Sequence, residues 1–239
     1  MIGVVIPTLN EEARVAARLA EVLKAPDVCS VVVADGGSED RTREIAEATA
    51  AKDTRVLFLC APKGRARQMN AGAAALAAMK PAACRVFLFL HADVKLPQGF
   101  GAAITAALAE PAVVAGAFRT WTVPDGDEPP PRWAPLLHLA DVRSRYSRVP
   151  YGDQAIFVKT AVFDRIGGFP DQPLMEDLEL SLRLRKQGRL AILRQSVAVS
   201  GRRFLARPIY YTFLVNVFPA LYRLGVSPAT LDRLYKAVR

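Results

Sequence analysis

The sequence predicts an α/β fold: a mixed, mainly parallel sheet sandwiched by helices, with a C-terminal helical extension. Three observations carry this. Short β-branched or apolar runs alternate with helix-length amphipathic segments over the first 110 residues. The run Ser30 to Ala34 centres on three consecutive valines, as expected of a strand buried on both faces. Turn-forming polar residues follow the runs rather than interrupt them.

The elements read in order as follows. Ile2 to Ile6 is a strand, and Glu11 to Lys24 a helix with Val15, Leu19, Val22 and Leu23 on one face. Ser30 to Ala34 is the second strand, and Asp40 to Ala51 a helix with Asp40 as its N-cap. Arg55 to Leu59 is a strand, Ala66 to Lys80 an alanine-rich helix, Arg85 to Leu90 a strand and Gly99 to Ala109 a helix. Parallel crossovers bring the loops after Ile6, Ala34 and Leu90 to one sheet edge, where ligands bind in open α/β sheets. Beyond Pro111 the rhythm changes. Val113 to Trp121 is a strand, Pro124 to Pro135 a loop, Ile156 to Val158 a short strand and Glu176 to Gln187 a helix. Leu190 to Leu193 and Val197 to Val199 are short strands, and two helices from Phe204 onward are split by Gly225-Val226-Ser227-Pro228. The expected division is one α/β domain over 1–203, in halves 1–110 and 111–203, and a helical segment over 204–239.

Bulk properties narrow the function. With 239 residues, 51% hydrophobic, the chain can build a sizeable core. Cys29 and Cys60 read as small buried hydrophobes of a reducing compartment. Two histidines without cysteine partners argue against zinc. A net charge of +9 favours anionic partners, but no zinc finger, aromatic RNA-binding strand or dense lysine run points to nucleic acid. Met1 to Pro7 reads as strand, not secretory leader, so the expected location is cytoplasmic. The uncharged stretch 208–222 contains Asn216 and Pro219 and is shorter than the ~20 residues of a spanning helix. It is expected to cover a homodimer interface or to lie peripherally at the inner face of the membrane, with Arg202, Arg203, Arg207 and Arg223 around it, packing within the chain being the remaining alternative.

Five motifs carry chemistry. Pro7, Thr8, Asn10 and Glu11 form a turn after the first strand that can meet a base or ribose, and Asp35 stands at the end of the second strand with acceptors for a base or ribose hydroxyl. Lys63, Arg65 and Arg67 crowd the start of a helix, where they oppose the helix dipole unless an anion sits in front of it. His91 and Asp93, two residues apart around Ala92, face the same way after an apolar strand. Asp93 can hold a divalent cation bridging two phosphates, and a histidine partner shifts preference from Mg2+ toward Mn2+. Glu176 and Asp177 open a helix, where a carboxylate can take a proton from an attacking hydroxyl. Tyr151, Asp153, Gln154 and Arg203 are weaker candidates for the acceptor side.

In this order the motifs resemble the family 2 glycosyltransferases, which have a GT-A, Rossmann-like fold. More narrowly, they are similar to a bacterial subgroup labelled for arsenosugar biosynthesis or as radical-SAM/selenodomain-associated. The matching stretches are Ile6 to Glu12, Asp35 to Asp40, Gly64 to Gly72, Leu88 to Asp93, Ala115 to Arg119, Pro150 to Gln154, Gly167 to Pro170, Leu174 to Leu180 and Tyr222 to Pro228. The resemblance implies that Asp35 contacts the nucleoside, Asp93 binds the metal on the diphosphate, and Asp177 is the base of a metal-dependent, inverting transfer. The donor is then a nucleotide sugar, UDP-linked before GDP-linked, and the acceptor an unidentified phosphorylated or lipid-linked molecule. Two positions depart from the pattern: Gly36 stands where many relatives have aspartate, and His91 replaces the first acid of Asp-x-Asp. A sugar-nucleotide pyrophosphorylase is the second reading, but Pro7-Thr8-Leu9-Asn10 lacks its glycine-rich loop. A non-catalytic nucleotide-sugar-binding module is the third, and the presence of both Asp93 and Asp177 weighs against it.

Overall fold

The computed structural model describes residues 1–79, 84–124, 138–201 and 208–237. Eight strands form one sheet: β1 (Ile2–Thr8), β2 (Val28–Asp35), β3 (Val56–Cys60), β4 (Val86–Phe89), β5 (Val94–Lys95), β6 (Val113–Val123), β7 (Phe157–Lys159) and β8 (Arg189–Ser200), in the order β3-β2-β1-β4-β7-β6-β8-β5. Strands β3, β2, β1 and β4 run parallel. β7 is antiparallel to both its neighbours, β6 and β8 are parallel, and β5 closes the edge antiparallel to β8. β1, β2, β4, β6 and β8 therefore point the same way, and their carboxyl ends share one edge.

Nine helices are described: α1 (Glu12–Leu23), α2 (Thr42–Ala50), α3 (Arg65–Met79), α4 (Phe100–Ala109), α5 (His138–Tyr146), α6 (Thr160–Arg165), α7 (Glu176–Arg185), α8 (Pro208–Arg223) and α9 (Pro228–Ala237). Period-two alternation along the strands distributes the core to two faces. Val4, Ile6, Val31, Val33 and Leu88 pack against Val15, Leu19 and Val22 of α1 and Phe100 and Ile104 of α4. Val5, Val32, Ala34, Phe87 and Phe89 pack against Met69, Ala73 and Leu76 of α3, Phe163 of α6 and Leu180 and Leu184 of α7. Every residue of β1 and β2 is buried, which explains why β2 reads as a valine run without alternation.

The predicted elements of the first half are present, with ends shifted by a residue or two. At α2, Asp40 accepts hydrogen bonds from the Thr42 amide and the Glu12 amide, while the helix itself begins at Thr42. Further along, the two short strands expected at Leu190 and Val197 are one strand, β8. Ala117 pairs with Ile192 and Arg119 with Ser196, so Leu193 to Gln195 bulge between them and interrupt the apolar pattern. Helices α5 and α6 and strand β5 had no periodic signal. Cys60 is exposed, contrary to expectation, because it ends the edge strand β3; Cys29 and Cys84 are buried. Burial holds the Cys84 thiol protonated, its pKa pushed up to about 12 with neighbouring Cys29 adding to the effect. The expected loop beyond Pro124, from Asp125 to Pro135, and Arg202, Arg203, Phe204 and Arg207, lie outside the described residues.

Helix α8 turns Leu214 and Phe218 inward, where they pack with Leu231 of α9, Leu174 and Met175. Phe213 on the same helix is exposed. None of the described helices is long and apolar enough to cross a membrane.

Helix α3 approaches β1 closely enough to demand a glycine. A Cβ on Gly72 would lie 2.4 Å from Val5 Cγ1. Gly72→Ala is therefore expected to destabilise the fold by about 1–3 kcal/mol, as overpacking does. A lowered urea midpoint at unchanged m-value checks this, and an unshifted midpoint contradicts it.

Candidate active site

The carboxyl edge of the sheet carries two adjoining clusters of polar residues. The first lies at the ends of β1 and β2. Asp35 is buried and accepts four hydrogen bonds: Thr8 Oγ1 at 3.0 Å, Ser38 Oγ at 2.5 Å, and the amides of Gly37 and Ser38 at 3.0 and 2.8 Å. Gly37 has φ +91°, a left-handed conformation suited to glycine, which lets its amide fold back onto the carboxylate. The neighbouring turn is joined to this one. The Asn10 amide donates to Ser38 Oγ, Asn10 Oδ1 accepts from the Glu39 amide, and the Glu11 amide donates to Thr42 Oγ1. Pro7 and Thr8 are buried at the strand end, and Asn10 is exposed in the left-handed region at φ +56°.

Gln68 on α3 lies beneath both turns. Its Nε2 donates to the carbonyls of Thr8 and Ala34 at 2.7 and 2.8 Å. A Cβ on Gly36 would meet the Gln68 carboxamide at 3.0 Å. The departure at Gly36 thus has a physical cause: the glutamine leaves little room for a side chain there.

The second cluster lines a cavity of about 240 Å3. Arg65, His91, Asp93, Asp153, Glu176 and Asp177 contribute its charged and ionisable groups, and Tyr151 joins them. His91 and Asp93 arrive on the turn after β4. Behind that turn, the buried Arg18 donates from Nε to the Ala92 carbonyl at 3.4 Å and pairs with Glu21. Burial lowers the Arg18 pKa, against the opposing pull of Asp93.

Glu176 and Asp177 are placed by the turn before α7. Phe169 inserts between aromatic rings, 4.8 Å edge-on from Phe89. Asn70 clamps the same turn, donating to the Phe169 carbonyl at 2.8 Å and accepting from the Phe169 amide at 2.9 Å. Arg67 of α3 reaches Asp171 with two hydrogen bonds, at 2.8 and 3.1 Å. Met175 then enters the helix in the left-handed region at φ +64°. Two amides orient the Asp177 carboxylate: Gly152 donates to Oδ2 at 2.6 Å and Leu178 to Oδ1 at 2.7 Å. A Cβ on Gly152 would stand 2.9 Å from His91 Nε2 and 3.3 Å from Asp177 Oδ2, so this glycine separates the two polar groups.

The electrostatics are uneven. Glu176 is buried, and desolvation together with the charge of Asp177 raises its pKa to about 7, against the pull of Arg65. Desolvation acts to lower the Arg65 pKa, but Glu176, Asp177 and Asp93 outweigh it and hold the guanidinium above its ordinary value. Arg65 keeps access to solvent through the mouth of the cavity.

The structure thus gathers Arg65, His91, Asp93, Tyr151, Asp153, Glu176 and Asp177 and separates the remaining candidates. Of the three cations at α3, only Arg65 lines the cavity, whereas Arg67 is tied to Asp171 and Lys63 is exposed. Gln154 turns inward: its Nε2 donates to the Phe118 carbonyl, and its Oε1 accepts from the Tyr151 amide. At 1% exposure it supports the loop and does not line the cavity. Arg203 is outside the described residues. Sequence reading missed Gln68, Asn70 and Gly152, whose roles depend on partners 25 to 99 residues away. It also missed Tyr211, Leu214 and Phe218 as cavity walls, though their spacing of three and four residues signals one helix face.

Residues 3–169 match Glycosyl transferase family 2, more than half the chain. The chain belongs to that family. This family 2 chain is 48% identical over 62 residues to the succinoglycan biosynthesis protein ExoA of Rhizobium meliloti (strain 1021), a match covering 25% of the chain and 19% of ExoA. Among solved structures it resembles TarS 1-349 of S. aureus in complex with UDP, with a TM-score of 0.62 at 18% identity, covering 83% of this chain and 60% of that one. It also resembles the mannosyltransferase PcManGT of Pyrobaculum calidifontis in complex with GDP-Man and Mn2+, with a TM-score of 0.58 at 19% identity, covering 83% and 56%. The family 2 chain thus spans about a fifth of ExoA and three fifths of the TarS chain, and it shares the GT-A fold of the TarS and PcManGT structures.

Glu176 supplies a pH test. Its native pKa of about 7 lies above the ordinary 4.5, so the native state binds more protons than the unfolded chain between these values. Its contribution to stability is full below about pH 4.5 and is lost as pH rises through about 7, with a slope of at most about 1.4 kcal/mol per unit. Urea midpoints should therefore fall from about pH 5 to about pH 7.5 more steeply in the wild type than in Glu176→Gln. Parallel profiles for the two proteins contradict a buried, protonated Glu176.

Proposed function

We propose that this chain transfers a single sugar from a nucleotide diphosphate sugar to an acceptor hydroxyl, with inversion and with Asp177 as general base. The observation that carries this reading is the convergence of Asp177, Glu176, Arg65, His91 and Asp93 on one cavity at the carboxyl edge of the sheet. Family membership supports it. UDP is the proposed donor nucleotide, supported by the likeness to TarS in its UDP and UDP-GlcNAc complexes. The narrower subgroup assignment rests on the ordered motif set alone.

The two polar clusters divide the work. The paired turns of Asn10 and Ser38, held by Asp35 and Gln68, offer a rigid surface at the ends of β1 and β2 for the nucleoside. Asp35 contributes chiefly by shaping that surface, since both its oxygens are already engaged. Arg65 faces the diphosphate, and its positive charge is secured by the three surrounding carboxylates. In the transfer, the acceptor oxygen attacks the anomeric carbon from the side opposite the phosphate. The bond from that carbon to the phosphate oxygen breaks, the nucleoside diphosphate leaves with the electron pair, and the hydroxyl proton passes to Asp177. The Gly152 and Leu178 amides keep the carboxylate oriented, as proton transfer in the transition state requires.

His91 and Asp93 fit a divalent cation of the Mg2+ or Mn2+ kind. They share the cavity, and their imidazole nitrogen and carboxylate oxygens would hold the ion beside the donor diphosphate. When bound, the ion neutralises charge on the departing diphosphate.

Asp177→Asn should reduce transfer by about 10²–10⁴-fold, the usual contribution of a positioned base. The asparagine can still accept from Leu178 but presents an N–H toward the Gly152 amide. UDP binding should survive in this variant, and it should weaken together with metal dependence in Asp93→Ala. Transfer assays paired with calorimetric UDP titrations, with and without Mn2+, check both. Wild-type transfer by Asp177→Asn removes the base assignment.

A further inference from the structure

We infer that Arg18 is a positioning residue for the cation site: from the α1 side of the sheet it fixes the peptide between His91 and Asp93, and so sets how those two side chains face each other. This rests on the cation reading of His91 and Asp93 above.

Arg18 stands on the face of α1 that carries Val15, Leu19 and Val22 into the core, and it is the one charged residue buried there. At 8% exposure it gives up most of its hydration. An apolar side chain fills such a position without that loss, and exchanging a buried ion for one is often neutral or stabilising. Packing alone therefore does not account for an arginine at this position.

Its partners do. Three successive carbonyls anchor the turn after β4, and each has a different donor. The His91 carbonyl accepts from the Val94 amide at 3.1 Å, within the turn itself. The Asp93 carbonyl accepts from the Ser200 amide at 3.4 Å, at the end of β8. The Ala92 carbonyl accepts from Arg18 Nε at 3.4 Å, so its anchor alone is a side chain. Ala92 is buried, which leaves little room for water to take the place of that donor. The peptide moves as a plane. Rotation about the bond that carries the Ala92 carbonyl swings Asp93 with it, while His91 stays with β4. Glu21, one turn further along α1, pairs with the same guanidinium and keeps it from swinging away. The charge of Asp93 acts on Arg18 as well, favouring its protonated form against the effect of burial.

Two measurements test this, one of them without metal. Arg18→Met keeps the length of the side chain and removes its charge and its donors. The position borders a groove of about 670 Å3, which leaves the thioether room. His91 and His138 are the two histidines of the chain, so imidazole NMR signals of the metal-free protein read the turn directly, with His138 as internal control. Arg18→Met should shift or broaden the His91 signals and leave those of His138 in place. In calorimetric titrations of the full chain, UDP affinity with Mn2+ should fall about tenfold, the low end for residues that orient metal ligands, and UDP affinity without Mn2+ should stay within about twofold. Arg18→Lys, which keeps the charge and a donor, should recover most of the loss.

Glu21→Ala frees the far end of the guanidinium at a partly exposed position. It should move the His91 signals in the same direction by a smaller amount, and it carries the test if Arg18→Met does not fold. His91 signals that coincide with the wild type in the variants overturn the inference. So does a loss of UDP affinity that is equal with and without Mn2+, which marks a general loosening of the fold. Wild-type UDP binding indifferent to Mn2+ sinks the cation reading instead, and the metal-free spectra then still decide whether Arg18 fixes the turn.

Discussion

Central strands buried on both faces leave polar chemistry little place to go but their ends. Strands β1 and β2 have no exposed residue, and burying an unpaired polar group costs roughly 1–3 kcal/mol by mutational measures. Functional side chains therefore collect where the strands stop. Because β1, β2, β4, β6 and β8 point the same way, those stops share an edge. The turns of Asn10 and Ser38, the turn of His91 and Asp93, and the groups that face them all follow from this constraint.

Helix α3 turns that edge into a site. Its apolar face packs on β1 closely enough to require Gly72, and its polar residues reach in different directions. Gln68 holds the two strand ends beneath the turns of Asn10 and Ser38. Asn70 and Arg67 hold the turn that launches α7. Arg65 enters the cavity among the carboxylates. One helix thus couples the turns at the ends of β1 and β2 to the acids that open α7, and its register on β1 sets the spacing of both. Arg18 does a related job from the other face, buried under the carbonyl of Ala92.

The charges at the site are arranged by unequal burial. Glu176 sits deep enough to hold its proton to near neutrality, while Asp177, beside it in sequence, is held by two backbone amides. Adjacent acids thus have different environments, and different roles can follow from them. Leu214 and Phe218 of α8 and Tyr235 of α9 line the same cavity, so the C-terminal helices form part of the site.

Much of this was legible in the sequence because it is local. The valine run of β2, the helical spacing of Val15, Leu19 and Val22, and the polar turns after each strand report burial and capping within a few residues. Those signals determined the fold class and the sheet edge where the polar turns stand, while the ordered motif set and its family resemblance grouped His91, Asp93, Glu176 and Asp177, which share one cavity. What escaped depends on partners far along the chain. Nothing near Gly152 shows that its amide meets Asp177, 25 residues on, or that its missing side chain leaves room for His91. Nothing near Gln154 shows that its amide turns inward to Phe118, or near Arg67 that Asp171 holds it away from the cavity. The bulge of β8 disguised one strand as two, because an irregular ladder breaks the period on which strand reading depends. The sequence by itself determined which residues stand at the strand ends, since burial period is a local property. Only the tertiary structure decided which of them face one another, because hydrogen bonds and packing across dozens of residues set each side chain's direction.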